Sequence, residues 1–187
     1  MPVDAVLDAN ILLPAPLRDT LLRAADEGLY RPRWSEDILL EVRRNLISVW
    51  KLSDTQARRA VETMNEAFPE AKVEEYEALI DRMPNHPKDR HVLAAAVTCG
   101  AEIIVTQNLR DFPQRLLTPL NVVAMSADDF LLRLCASSTD IFIRIIAEQA
   151  AELRHPPKTA PDIVTMLAKH APAFAELMRS EIGEIGK

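Results

Sequence analysis

The sequence predicts an α/β fold with a mainly parallel sheet, followed by an all-helical C-terminal stretch. Three observations carry that expectation. Short apolar runs alternate along the chain with amphipathic helical segments, the pattern of βαβ units. "EIIVTQ" (102–107) is the clearest strand, and "VDAVLD" (3–8) opens the series. After about Ala136 the strand signal stops, and helical segments are broken by the three prolines of "RHPPKTAP".

In chain order, residues 3–8 read as a short buried strand bounded by Asn10 and Pro14. "PLRDTLLRAADEG" (16–28) reads as a helix with Leu17, Leu21, Leu22 and Ala25 on one face and Gly28 at its end. "LYRPRW" (29–34) is a second strand, whose Pro32 points to irregular pairing or an edge. Ser35 caps the next helix, with Glu36 and Asp37 in its first turn and Ile38, Val42, Leu46 and Val49 as its apolar stripe. Residues 53–68 form another capped amphipathic helix, and 71–80 begin as strand and end as a turn of helix. "PNHPKDRHVLAAAVTCGA" (84–101) is a proline-bounded loop, then an Ala-rich helix closed by Gly100. "NVVAMS" (121–126) is a further strand and "ADDFLLRL" starts a helix. Residues 139–153 and two short segments near 161–170 and 173–183 complete a helical tail.

The chain of 187 residues is 48% hydrophobic and 27% charged, enough for one ordinary domain with an addition. A net charge of −6 speaks against nucleic-acid binding by bulk charge, but leaves room for a local basic patch. No basic leader and no long apolar run is present, and Cys99 and Cys135 lie far apart outside any CxxC. The expectation is a soluble cytoplasmic protein with reduced thiols and no membrane association.

Asp8 stands inside the apolar run "AVLDANILL", where an ionised carboxylate is costly unless paired or bound to metal. In open parallel sheets ligands bind outside the carboxyl ends of the strands. Asp8 ends the first strand, and Asn108 and Asp111 follow "EIIVTQ", so the three share a rim if those strands are neighbours. Glu41 lies one turn into its helix and Asp89 in the first turn of the Ala-rich helix, both directed to the same place. Four such carboxylates tolerate one another around a divalent cation, and an all-oxygen set suits Mg²⁺ or Mn²⁺. Taken singly, each acid is equally well explained as a strand-end, capping or turn residue.

"VLDANILL", "EDILLEVRRNL", "KDRHVLAAA" and "IIVTQNLRDF" occur in the order and spacing of PIN-domain proteins, and over roughly residues 3–134 the chain resembles the VapC-type toxin ribonucleases of toxin–antitoxin pairs. The resemblance implies a PIN-like three-layer domain (1–136) with a five-stranded parallel sheet flanked by helices, and the loss of strand signal beyond it marks off a helical C-terminal extension (137–187). It also implies an Mg²⁺- or Mn²⁺-dependent endoribonuclease, with Asp8, Glu41, Asp89 and Asp111 as catalytic and metal-holding acids. Thr106 takes the small hydroxyl position. Asn108 stands where many family members carry an acid, leaving one ion or two open. Asn10 is placed to hydrogen-bond a carboxylate or water. Cleavage would be in-line attack by metal-activated water. The implied partners are RNA and a cognate antitoxin, and a homodimer is the expected assembly.

Arg43, Arg44, Arg110 and Arg115, with Lys88 and Arg90 near Asp89, are candidate phosphate contacts, although most surface cations are only solvated. His86 and His91 flank Asp89 without the companions of a zinc site, and read as ordinary residues. A haloacid-dehalogenase-type phosphatase would need an acid where Asn10 stands, and a receiver domain would need paired early acids. The open alternative is a non-catalytic PIN-like module that binds RNA or a protein. The tail stripe of Ile141, Ile145, Ile146 and Leu153 must pack on something: the core of the first domain, which is the expected surface and leaves the tail a role in dimerisation, a second copy, or an antitoxin.

Overall fold

A computed structural model of the chain describes residues 2–185. Strand β1 (Val3–Leu7) runs into a single helical turn, α1 (Ala9–Leu12), which the sequence pattern does not announce. Helix α2 (Ala15–Asp26) starts with Pro16 in its first turn, where a missing N–H costs nothing, and Gly28 at φ +73° turns the chain out of it. Strand β2 (Tyr30–Ser35) leads into α3 (Glu36–Ser48), capped by the Ser35 hydroxyl, which accepts from the Ile38 N–H at 3.3 Å. Helix α4 (Asp54–Ala67) carries a reciprocal Ser53–Gln56 capping box. Short β3 (Lys72–Val73) and α5 (Glu77–Ile80) precede α6 (Arg90–Cys99), which ends at Gly100 with φ +68°. Then come β4 (Ile103–Val105), α7 (Gln114–Leu117) and β5 (Val123–Met125). Helices α8 (Ala127–Cys135), α9 (Thr139–Glu152), α10 (Ala160–Leu167) and α11 (Pro172–Ile185) follow. None of the described helices is long and apolar enough to cross a membrane.

The five strands form one parallel sheet in the order β3-β2-β1-β4-β5. Central β1 pairs Val3 with Tyr30 on one side and Leu7 with Val105 on the other. Its residues Ala5, Val6 and Leu7 are fully buried, as expected for a strand covered on both faces. Helices flank the sheet: α6 lies against β1, β2 and β4, α3 against β2, and α7 against β5. Pro32 is tolerated because β3 meets β2 only at Trp34 and Ser35, so the strand is an edge at the proline. The order reverses at β1, which places a cleft outside the carboxyl ends of β1 and β4.

The chain divides into two compact units, one of Met1–Leu13 with Tyr30–Ser126 and the other of Pro14–Leu29 with Ala127–Lys187. This differs from a single cut at residue 136, because α2 and α8 cluster with the tail helices. The apolar stripe of α2 meets α9, and the buried Gln149 amide and Thr20 hydroxyl bond to each other there. Arg23 on α2 pairs with Glu152 at 2.5 Å and Glu148 at 3.4 Å. Ile145, Ile146, Ile163, Val164 and Leu167 are buried in this unit, each stabilising it by about 1.5–3 kcal/mol relative to exposure. Phe142 and Phe174 meet edge to face at 5.2 Å, and Asp128 caps α11 by accepting from the Ala173 and Phe174 N–H groups.

Two stripe residues escape burial. Val49 is 66% exposed because α3 stops at Ser48, and Leu153 is 45% exposed because it caps α9 instead of continuing it.

Candidate metal centre

The Asp8 N–H continues the ladder to Val105 O at 3.0 Å, and its side chain then caps α1, Oδ1 accepting from the Ala9 N–H at 2.7 Å. Its Oδ2 accepts from Thr106 Oγ1 at 2.6 Å and from Asn10 Nδ2 at 2.5 Å. The residue is 3% exposed, and burial pushes its carboxyl above the usual carboxylate range. The Thr106 and Ala9 hydrogen bonds pull it back, and the Glu41 charge adds to the rise.

Thr106 is the hub beneath Asp8. Its hydroxyl donates to Asp8 and accepts from Asn10 Nδ2 at 3.2 Å and from the Asn108 N–H at 3.0 Å. Asn10 closes the loop by accepting the Gln107 N–H at 3.0 Å. This connection depends on β1 and β4 being neighbours, since their two carboxyl ends carry all five residues.

Asn108 donates from Nδ2 to Asp111 Oδ2, so the residue standing in an acid's place orients an acid. That bond, ahead of any other cause, holds the Asp111 carboxyl below the usual range. Asp111 closes a short 3₁₀ turn, Leu109–Asp111, with an 18% exposed side chain.

Asp89 ends the 3₁₀ turn Pro87–Asp89 and stands at the N-terminus of α6, yet its side chain makes no capping bond. Asn85 Nδ2 fastens its carbonyl at 3.0 Å. Its Oδ2 is buried with no hydrogen-bond partner. Burial raises its pKa, and the negative charges of Asp8 and Asp111 raise it further. Glu41, on α3, brings Oε2 to 3.8 Å from His91 Nε2, and its charge acts on Asp8.

The four predicted acids therefore come from four separate segments and share one electrostatic site. A buried carboxylate oxygen with no hydrogen-bond partner, on an acid whose pKa the charges of Asp8 and Asp111 raise, fits a divalent cation. The donors suited to holding it are the free carboxylate oxygens of Asp89, Asp111 and Glu41, with Asp8 buried at the base.

The basic residues divide. Arg43 turns away to pair with Asp54 at 2.6 Å. Arg44 lines a groove of about 560 Å³ beside Glu41, together with Asp37, Leu40, Ile80, Lys88 and His91. Arg110 is 91% exposed with Nε 3.8 Å from Asp111, and Arg115 is exposed on α7.

The sequence reading passed over both histidines. His86 brings Nδ1 to 3.7 Å from Asp89 Oδ2, and His91 stands beside Glu41. The signal available was spacing, since His86 precedes Asp89 by one 3₁₀ turn and His91 follows it by half a helical turn.

The family model described as PIN domain matches residues 4–110, and the model described as VapC50 C-terminal domain matches residues 127–180. A protein of Mycobacterium tuberculosis (strain H37Rv) named "Putative ribonuclease VapC50" is 40% identical over 104 residues, which span 56% of this chain and 62% of that protein. The match thus covers less than two thirds of the relative's length. No solved structure matches the chain. With its sheet order, its acid rim and a family match over more than half of its length, the chain belongs to the PIN-domain family.

Proposed function

We propose that the chain is a divalent-metal-dependent endoribonuclease, working as the toxin of a VapC-type pair in the cytoplasm. The observation that carries this reading is the buried, unpartnered Oδ2 of Asp89 among three further acids, Asp8 and Asp111 at the carboxyl ends of β1 and β4 and Glu41 on α3. Asp8, Glu41, Asp89 and Asp111 would hold Mg²⁺ or Mn²⁺, which supplies Lewis-acid activation of water and of the phosphate.

The chain's own groups divide the remaining work. Thr106 and Asn10 fix the rotamer of Asp8, so the buried carboxylate is oriented before any ligand arrives. Asn108 does the same for Asp111. Glu41, at the half-buried edge of the site with Oε2 3.8 Å from His91 Nε2, would close the acid set on that side. Arg44 and Lys88 offer cations for RNA phosphates in the adjoining groove, beside the acids Asp37 and Glu41, and Leu40 and Ile80 give it an apolar floor for a base. With a net charge of −6 on the chain, RNA attraction must be local to such a groove.

The partners that go with this reading are a protein antitoxin and a second copy of the chain. Light scattering of the purified protein checks the homodimer.

The deciding experiment compares wild type, Asp8→Asn and Asp89→Asn on a panel of RNAs with Mg²⁺, Mn²⁺ or EDTA. Cleavage is expected only for wild type with metal. Cleavage that survives a chelator or either substitution overturns the reading. RNA binding without cleavage, and without a Mn²⁺-induced thermal shift, would make the chain a non-catalytic module.

A further inference from the structure

Resting on the metal-dependent reading above, we propose that His86 is a direct ligand, through Nδ1, of a cation held between Asp89 and Asp111, and that this imidazole makes the site favour a first-row transition ion over Mg²⁺.

One ligand atom from each of His86, Asp89 and Asp111 lies within 4.8 Å of the others. His86 Nδ1 is 3.7 Å from Asp89 Oδ2. Ligands about 2.1 Å from a common ion are roughly 3 Å apart when adjacent and roughly 4.2 Å apart when opposite. The His86–Asp89 separation falls inside that interval. The oxygen facing His86 is also the one that lacks any hydrogen bond, on a residue only 8% exposed. A buried acceptor left unpaired beside a lone-pair nitrogen is a poor hydrogen-bonding arrangement and a good half of a coordination shell.

Nδ1 is placed to accept the Lys88 N–H, and at 3.4 Å that bond is long enough to yield to an ion. The His86 side chain is 55% exposed, so an ion reaches it from solvent. Asn108 is spent on Asp111 and brings no charge, which leaves a neutral donor to complete the set. Carboxylates alone suit Mg²⁺, whereas an imidazole adds affinity for transition ions, which Mg²⁺ does not share.

The test uses the full chain loaded with Mn²⁺ and pulsed electron paramagnetic resonance, in which a directly bound imidazole nitrogen modulates the spin echo. Nitrogen modulation is expected in wild type and in His91→Gln, and its loss in His86→Gln. Calorimetric titration with Mn²⁺ and Mg²⁺ should show the preference for Mn²⁺ falling about tenfold or more in His86→Gln, the scale on which even outer-shell partners of a metal act. Modulation that persists in His86→Gln, modulation lost in His91→Gln instead, or an unchanged preference overturns the assignment. Bound Mn²⁺ without any nitrogen modulation in wild type overturns it while leaving the ribonuclease reading in place. Failure of wild type to bind Mn²⁺ at all overturns that reading, and the assignment with it.

Discussion

Replacing Thr106 by Val keeps the shape of a fully buried side chain and deletes the hydroxyl on which the base of the site converges. Three hydrogen bonds go with it. The 2.6 Å bond to Asp8 Oδ2 is charge-assisted and worth about 1.5–3 kcal/mol. The bonds accepted from Asn10 and from the Asn108 N–H matter less, because Asn10 keeps Asp8 as a partner and half-buried Asn108 can turn to water. The expected loss is about 3 kcal/mol, or roughly 6–12 °C in Tm for a chain of this size. Urea unfolding of the metal-free protein, followed by tryptophan fluorescence, measures it. Both tryptophans, Trp34 and Trp50, lie in the sheet-containing unit, so the signal is not mixed with unfolding of the helical one. Thr106→Ser retains the hydroxyl and should lose much less. The gap between wild type and Thr106→Val should narrow as pH falls through the raised pKa of Asp8, since the hydroxyl's preference for the ionised carboxylate vanishes with the charge. A valine variant with the urea midpoint of wild type at neutral pH would refute the hub.

Asp89→Asn removes a buried charge that Asp8 and Asp111 oppose, so the metal-free variant should melt above wild type at neutral pH. Because the folded pKa is raised, the stability that Asp89 contributes is full below its unfolded value and is lost as pH rises through the folded one; the variant's advantage therefore grows with pH in a series of thermal melts. Saturating Mn²⁺ should reverse the order by stabilising wild type alone. Arg44→Ala should weaken RNA binding, read by fluorescence anisotropy, and Arg43→Ala should change it little, because Arg43 is engaged with Asp54. Phe174→Ala should cost about 3–5 kcal/mol by circular dichroism melting, since the ring is fully buried and packs on Phe142.

Strand-forming runs, capped helices and the rim that joins Asp8 to Asp111 were legible because each rests on local rules: apolar period, capping residues and strand ends. The convergence of Glu41 was legible from one helical turn of geometry. What escaped depends on tertiary neighbours. The assignment of α2 to the helical unit follows from α9, 129 residues along the chain at the Thr20–Gln149 bond, and no periodicity within α2 reports it. Val49 fits the stripe of α3 by spacing and is exposed because the helix ends one residue earlier. Asn108, which looked like a missing acid, became intelligible only once its amide was seen on Asp111.

Among the described residues, the buried polar side-chain atoms left without a partner are Asn85 Oδ1, Asp89 Oδ2 and His91 Nδ1, all within one seven-residue segment. Ordinary folding would not concentrate them so. A buried unsatisfied polar atom costs about 1–3 kcal/mol, and the 22 Lys and Arg residues of the chain offer ample means of pairing an acid. Elsewhere the protein uses those means. Asp4 pairs with Arg31 and Arg33, and Asp19 with Arg23, each holding its charge with a guanidinium. At the rim of β1 and β4 no guanidinium is bound to Asp8, Asp89 or Glu41 among the described residues. Withholding the usual partner from an acid makes sense only if something else takes the place. The departure from local rules in residues 85–91 is therefore itself an argument for a cation, independent of family likeness.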